Sequence, residues 1–424
     1  MQPATNSPSR QVRIEKLAPT GEGIARTSDA VGFVDGALPG ELVATTLYEV
    51  RKRFWRGSLR AVIEPSPDRV DGPHARCAGC DWAHFAPAAA RSAKRELFLE
   101  TMARIGKLDP AQFGELPVAA SAPGYRLRTR LHAAGGEPGY FAPGTHRVVS
   151  AAACEAIAPD TRALLPGAGA AIASSGAAVS EIATLEDFGG ARRLIRATVS
   201  GDPARAAQLG LDLSEMFQGV RVRSEDGRKL LERGSRSLDL AVGGRAFDVS
   251  VDSFFQGNRF LVPELFADVA AAAAAGAEPG EALDAFGGVG LFAGALAASG
   301  HRVLSVEGDT EAVADARRTK ERWPDGDRWE IEAASIGRFL EEDDRRFACV
   351  VADPPRAGLG AELARDLARR SRALLLYVSC DPATLARDLP AILSEGFRIR
   401  HAKLYDLFAF THRVEALVAL ERAA

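Results

Sequence analysis

Two side chains in the last fifty residues are of types that do chemistry together. Cys380, in YVSCDPATLARDL, ends an apolar run. It is followed by Pro382, which suits the first turn of a helix. A thiol at a helix N-terminus feels the positive end of the helix dipole, which lowers its pKa from about 8.5 and raises the fraction of reactive thiolate. Glu415 lies in THRVEALVAL, a run that otherwise reads as a buried strand. Desolvation raises such a carboxyl toward the range useful for taking a proton near neutral pH. The bland alternatives are a packed core cysteine and an edge-strand glutamate facing water. Cys349, inside FACVVAD, has no strand-end position and reads as core.

Two further motifs supply a cofactor site. In LDAFGGVGLFAG a strand ends in Gly287, Gly288 and Gly290 and a helix follows. Glycines there let the backbone turn tightly and approach a nucleotide. Glu307, at the end of RVLSVEG, is placed to accept hydrogen bonds from ribose hydroxyls. This pair suits dinucleotide oxidoreductases and methyltransferases equally, or a plain structural turn with a surface acid. VVADPPRAG sets Asp353 at a strand end before two stiffening prolines, a pattern of methyltransferases that act on nucleobases, which favours S-adenosylmethionine. Carbon 5 of uracil is too weak a nucleophile to take a methyl group unaided. A thiolate added at carbon 6 makes the ring an enolate, and Cys380 would supply it. Carbon 5 then carries a methyl and a proton, and Glu415 would remove the proton. A base so treated must be single-stranded or flipped out.

These residues need a scaffold. From about Asp248 short apolar strands alternate with amphipathic helices, which predicts a parallel, doubly wound sheet with its ligand at the carboxyl ends of the strands. Residues 248–424 thus form a Rossmann-like domain. Residues 68–247 hold a turn-rich junction with Cys77 and Cys80, then a helical stretch, then strands such as YRLRTRLHA and RRLIRATVS, which together read as a central α+β RNA-binding domain. PGAGAAIASSGAAVS within it is ambiguous between helix and loop. Residues 1–67 alternate around glycine and proline turns as in a five-stranded, OB-like barrel. The fold class is α/β multidomain. Arg51, Lys52, Arg53, Arg56 and Arg60 crowd around Phe54 and Trp55, and cation with aromatic ring is what single-stranded nucleic acid requires. A charge-blunted edge strand is the alternative.

With 46% hydrophobic and 26% charged residues in 424, the chain is neither disordered nor fibrous. A net charge of −3 leaves no overall basic footprint, so nucleic-acid contact must rest on local patches. No apolar run reaches the length of about 18 residues that a membrane span needs, and the first residues lack a signal-peptide core, so the expected location is cytoplasmic. Five cysteines, an odd number, argue against a disulfide framework.

The ordered motifs resemble the bacterial RNA uracil-5-methyltransferases, most closely their 23S ribosomal RNA branch with an N-terminal TRAM domain. The likeness runs through IEKLAPTGEGIAR, VGFVDGALPGELV and PSPDRV, then YRLRTRLH and GYFAPGTHRVV, then FFQGN, the glycine turn, DPPRAG, SCDPATLARDL and THRVEALVAL. It implies that Gln256, Phe286, Glu307 and Asp353 line the S-adenosylmethionine pocket, with Cys380 as nucleophile and Glu415 as proton acceptor. It also implies a monomer whose partner is RNA, with no DNA or membrane. Relatives acting on transfer RNA generally lack the TRAM domain and the cysteine cluster, which ranks transfer RNA second. An RNA-binding factor that has lost catalysis is a third reading, disfavoured by the intact Cys380, Glu415 and Asp353. Ribosomal RNA members usually hold a four-iron, four-sulfur cluster on four cysteines. Cys77, Cys80 and Cys154 match three of them, but Asp71 or Gly72 stands where the first belongs. A cluster would therefore need a substitute ligand such as Asp71 or His74, or be absent.

Overall fold

A computed structural model describes residues 9–28, 30–72 and 79–423. At the N-terminus, strand Ser9–Arg13 pairs antiparallel with Leu42–Val50, while its continuation Lys16–Leu17 pairs with Gly23–Arg26. One stretch of chain therefore occupies both ends of the sheet, and Val31–Asp35 and Phe54–Glu64 complete the circuit. Five chain segments close a barrel, as the turn spacing predicts. Its interior holds Val12, Ile14, Ala25, Val34, Val43, Leu47 and Trp55.

The middle region is a seven-stranded sheet in the order Val148–Ser150, Gly139–Phe141, Arg128–His132, Ala178–Glu186, Arg193–Ser200, Gly219–Ser224, Lys229–Gly234. Only Arg193–Ser200 and Gly219–Ser224 pair in parallel, and helix Pro203–Leu213 makes the crossover between them. The ambiguous small-residue stretch completes helix Pro159–Ser175 and, past Gly176, begins strand Ala178–Glu186.

The C-terminal sheet runs Trp329–Ala333, Arg302–Glu307, Glu281–Asp284, Phe347–Ala352, Ser371–Ser379, Glu415–Arg422, Phe397–Tyr405, Val118–Ala119. Its first five strands are parallel. Glu415–Arg422 enters antiparallel between its two neighbours, which corrects the expectation of a wholly parallel sheet. The reason is local: residues 406–414 contain no helix, and so short a link joins adjacent strands only as an antiparallel pair.

The division expected at 247/248 falls inside the second strand of hairpin Ser237–Val242/Arg245–Ser250. Leu238, Leu240, Phe247 and Val249 of that hairpin pack into one side of the C-terminal core. Phe98, Met102 and Phe113, far upstream, pack into the other. Among the described residues no helix is long and apolar enough to cross a membrane.

Candidate active site

The carboxyl ends of the parallel strands converge on one edge. Asp284 ends its strand, Glu307 ends the next, Asp353 follows Phe347–Ala352 and Cys380 follows Ser371–Ser379. Because the antiparallel strand starts where its neighbour stops, Ser379 pairs with Ala416, and one further step of the register sets Cys380 beside Glu415. The thiol and the carboxyl singled out in the sequence are thus brought together by a strand order that neither motif reveals.

The glycine turn is shaped by what lies behind it. Gly290 has a left-handed φ of 99°, and a Cβ there would collide with the Trp329 ring, so glycine is required. The Gly288 N–H donates to Glu307 Oε2 at 2.8 Å and the Asp309 N–H to Oε1 at 2.7 Å. Glu307 therefore braces the turn, and each oxygen keeps a lone pair for a ligand hydroxyl. Buried Gln256 donates from Nε2 to Asp353 Oδ2 at 2.8 Å. Burial pushes the Asp353 carboxyl up to about 7, against the pull of the Gln256 hydrogen bond. Phe286 is half-buried at the turn.

Two residues here were passed over in the sequence. Asp284 is fully buried, and neither of its oxygens has a partner in hydrogen-bonding geometry. Desolvation pushes it up to about 8; Asp353 and Glu307 add repulsion, and the backbone at Ala293 and Phe286 opposes it. The signal was present, since Asp284 is a strand-ending acid like Glu307 and Asp353. Phe254, 66% exposed, stands beside buried Phe255 and Gln256, and nothing in FFQGN tells the two rings apart.

For Cys380 the expected lowering is reversed: the half-buried thiol is pushed up to about 12, by burial first, then by Glu415 and Asp353. The helix it precedes, Pro382–Leu393, is capped by Asp381, which accepts from the Ala383 N–H at 2.8 Å and the Thr384 N–H at 3.2 Å. That carboxylate occupies the positive end of the dipole and adds its own negative charge beside the sulfur. Arg356, exposed in the DPPRAG loop, is the opposing cation. Glu415 is 1% exposed with Oε1 unpartnered, so the water-facing alternative fails. Burial and Asp353 raise its carboxyl well above the ordinary range.

Cys349 is buried inside its strand, as its position in FACVVAD predicts. Cys77 and His74 lie outside the described residues. Cys80 is half-buried and Cys154 buried, and a hydrogen bond from Cys80 holds the Cys154 thiol below its ordinary value. Among the described residues no group of three or more His, Cys, Asp or Glu side chains could hold a metal ion, so Asp71 does not join this pair as a substitute ligand.

On the barrel, Trp55 is only 1% exposed and belongs to the core, which removes it from any stacking surface. Arg56 pairs with Glu22 and Glu49 and lies 5.0 Å from the Phe33 ring centre, while Arg51 pairs with Glu49. Lys52 and Arg53 are exposed and make no ion pair among the described residues. Tyr48, 57% exposed, offers a ring nearby.

A small OB-like barrel is thus joined to a Rossmann-like sheet that carries a glycine turn and acids at successive strand ends. The TRAM domain family matches residues 9–60, and the family described as tRNA (Uracil-5-)-methyltransferase matches residues 338–423. An uncharacterized RNA methyltransferase of Streptomyces avermitilis is 32% identical over 98% of this chain and 98% of its own. The 23S rRNA (uracil(1939)-C(5))-methyltransferase RlmD of Halomonas elongata is 31% identical over 97% of this chain and 89% of its own. Among solved structures, the Pyrococcus abyssi tRNA (uracil-54, C5)-methyltransferase in complex with S-adenosyl-L-homocysteine superposes with a TM-score of 0.79 at 22% identity, covering 97% of this chain and 99% of that one, a likeness of fold. The chain belongs to the RNA uracil-5-methyltransferase family.

Proposed function

We propose that this protein methylates carbon 5 of a uridine in 23S ribosomal RNA, with Cys380 as covalent nucleophile and Glu415 as base. The observation that carries this reading is the register that sets Cys380 beside a buried, partner-poor Glu415. S-adenosylmethionine, when bound, supplies an electrophilic methyl group on a sulfonium. The chain suits such a ligand: the oxygens of buried Asp284 are met only by backbone at Ala293 and Phe286, outside full hydrogen-bonding geometry, and with Glu307 and Asp353 it surrounds the glycine turn with carboxylates that a cationic ligand would relieve. Gln256, Phe286, Glu307, Asp353 and Asp284 would hold it.

The chain's own residues account for the remaining chemistry. The Cys380 sulfur gives its proton to solvent, with Arg356 favouring the thiolate, and forms a bond to carbon 6 of the uracil. The ring electron pair moves to carbon 5, which bonds to the methyl carbon as that carbon's bond to the sulfonium breaks with its pair left on sulfur. Glu415 takes the proton from carbon 5, the pair left behind re-forms the 5,6 double bond, and the carbon–sulfur bond breaks with its electrons returning to sulfur. A raised pKa makes the Glu415 carboxylate a stronger base for that step. Phe254 offers its exposed ring to an unstacked nucleobase, and Lys52 and Arg53 offer charge to phosphates.

The ribosomal substrate rests on the Halomonas relative. The barrel does not decide it, because the solved Pyrococcus chain, a transfer RNA enzyme by name, superposes over 97% of this one. That coverage keeps transfer RNA as the second reading. Both are tested by mapping 5-methyluridine in ribosomal and transfer RNA from cells with and without the gene: loss from 23S RNA is expected, and loss from transfer RNA alone overturns the assignment. For the mechanism, RNA carrying 5-fluorouridine should become attached at Cys380 and not in Cys380→Ala. Product formation by Cys380→Ala would refute covalent catalysis.

A further inference from the structure

The loop that carries Arg356 is held at its far end by a side chain that has no part in the chemistry above. Asp388, on helix Pro382–Leu393, is fully buried. The Leu359 N–H donates to its Oδ2 at 2.7 Å and the Gly360 N–H to its Oδ1 at 3.1 Å. The Tyr377 hydroxyl donates to Oδ2 at 2.8 Å. Arg387 donates from Nε to Oδ1 at 2.8 Å and from Nη2 to the Ala357 carbonyl at 2.8 Å. Tyr377 lies on the strand that delivers Cys380, and Asp388 on the helix that follows it. One carboxylate therefore joins the strand before the thiol, the helix after it and the loop opposite. Gly358 has a φ of 71°, and a Cβ there would lie 2.6 Å from Asp388 Oδ2, so the loop is moulded directly onto this carboxylate. A buried carboxylate is costly to desolvate, and for helix packing alone an apolar residue would serve as well.

We infer that Asp388 is a positioning residue which, by fastening residues 357–360 to the strand and helix flanking Cys380, holds the loop that carries Arg356 in place opposite Cys380. The inference rests on the reading of Cys380 as the reactive thiol. Charged groups facing that sulfur are Glu415, Asp353 and Asp381, which disfavour the thiolate, and Arg356, which favours it. Asp353 is held separately, by its own strand and by Gln256. Loosening residues 357–360 therefore displaces Arg356 while Asp353 stays in place.

The test is Asp388→Asn in the full-length protein, with alkylation of Cys380 by iodoacetamide followed by mass spectrometry from neutral to mildly alkaline pH. Loss of the favourable cation should slow alkylation at each pH by about 3- to 10-fold. The kcat for methyl transfer should fall at least as far, while affinity for S-adenosylhomocysteine changes by less than about twofold. A fold that is merely loosened exposes the thiol and speeds alkylation, so an equal or faster rate overturns the inference. Arg387→Met removes the bond to Ala357 from a part-exposed side chain, and carries the same expectation and the same overturning result should Asp388→Asn not fold. In an Arg356→Ala background Asp388→Asn should add no further slowing; a full additional effect also overturns it. Alkylation needs neither RNA nor methyl transfer, so its outcome is separate from that of the 5-fluorouridine trap.

Discussion

A thiol raised by burial and by neighbouring carboxyls is a poor nucleophile at rest, and on the proposed reading the same crowding would favour a cationic ligand. Asp284 has the most direct consequence. Its pKa is raised to about 8 by burial first, so the folded protein holds a proton that the unfolded chain releases near the ordinary carboxyl value. Below about pH 4 both states are protonated and the residue costs nothing; the penalty grows as pH rises and levels off above about pH 8. Asp284→Asn should therefore melt at a higher temperature than the parent at neutral and alkaline pH, with the difference vanishing in acid. The same variant should bind S-adenosylmethionine about tenfold or more weakly, because a neutral amide cannot offset the sulfonium charge. Melts across pH together with calorimetric titration check both; unchanged affinity would remove Asp284 from the cofactor site. The residue types at 284, 307, 353, 380 and 415 were all legible in the chain. The direction of the Cys380 shift was not, since it depends on how deeply the sulfur is buried and on which carboxylates the fold places around it.

Among the elements, the barrel strand Phe54–Glu64 shows what alternation in a sequence does and does not reveal. Charge and aromaticity crowd residues 51–60, but the strand turns Trp55 inward and ties Arg56 to Glu22. Lys52, Arg53 and Arg60 remain exposed with no ion pair among the described residues, and Lys52 and Arg53, adjacent in the chain, are the pair to test as phosphate contacts. Replacing both by alanine should weaken RNA binding and reduce the slope of log affinity against log salt by roughly 0.7 for each single-strand phosphate that is no longer neutralised. Arg56→Ala should instead lower the melting temperature of the barrel, because it strands a carboxylate, Glu22, that is itself buried. Filter binding over a salt series separates the two; an unchanged slope in the double variant would return this stretch to solvated surface. Strand–helix alternation made the parallel strands readable. The antiparallel Glu415–Arg422 was not, because its partners follow from the brevity of residues 406–414 and from which edge of the sheet was free.

At the scale of the whole molecule, contacts from distant parts of the chain converge on the segment between the last two strands. Lys94 is buried against Asp406, and the Trp82 N–H donates to the Phe410 carbonyl at 2.9 Å while its indole donates to Gly21 at 2.9 Å. Asn258 reaches the Leu407 carbonyl at 2.9 Å. The segment leading to Glu415 is thus pinned by the barrel, the junction after it and the FFQGN stretch at once. Phe98, Met102 and Phe113 complete one side of the C-terminal core, and Leu238 and Leu240 the other. A chain truncated to residues 248–424 leaves both sides open and should fail to melt cooperatively by circular dichroism; a sharp transition there would show that the Rossmann-like part is self-sufficient. The sequence by itself determined the succession of elements, the acids and the thiol at strand ends, and the family they signal, because hydrophobic period and strand-end motifs are local properties of the chain. Only the tertiary structure decided that Cys380 lies beside Glu415, that the thiol is held protonated, that Trp55 faces inward and Phe254 outward, and that upstream residues build the C-terminal core. Those outcomes depend on strand order and on desolvation, and both are set by what packs against a residue rather than by what precedes it in the chain.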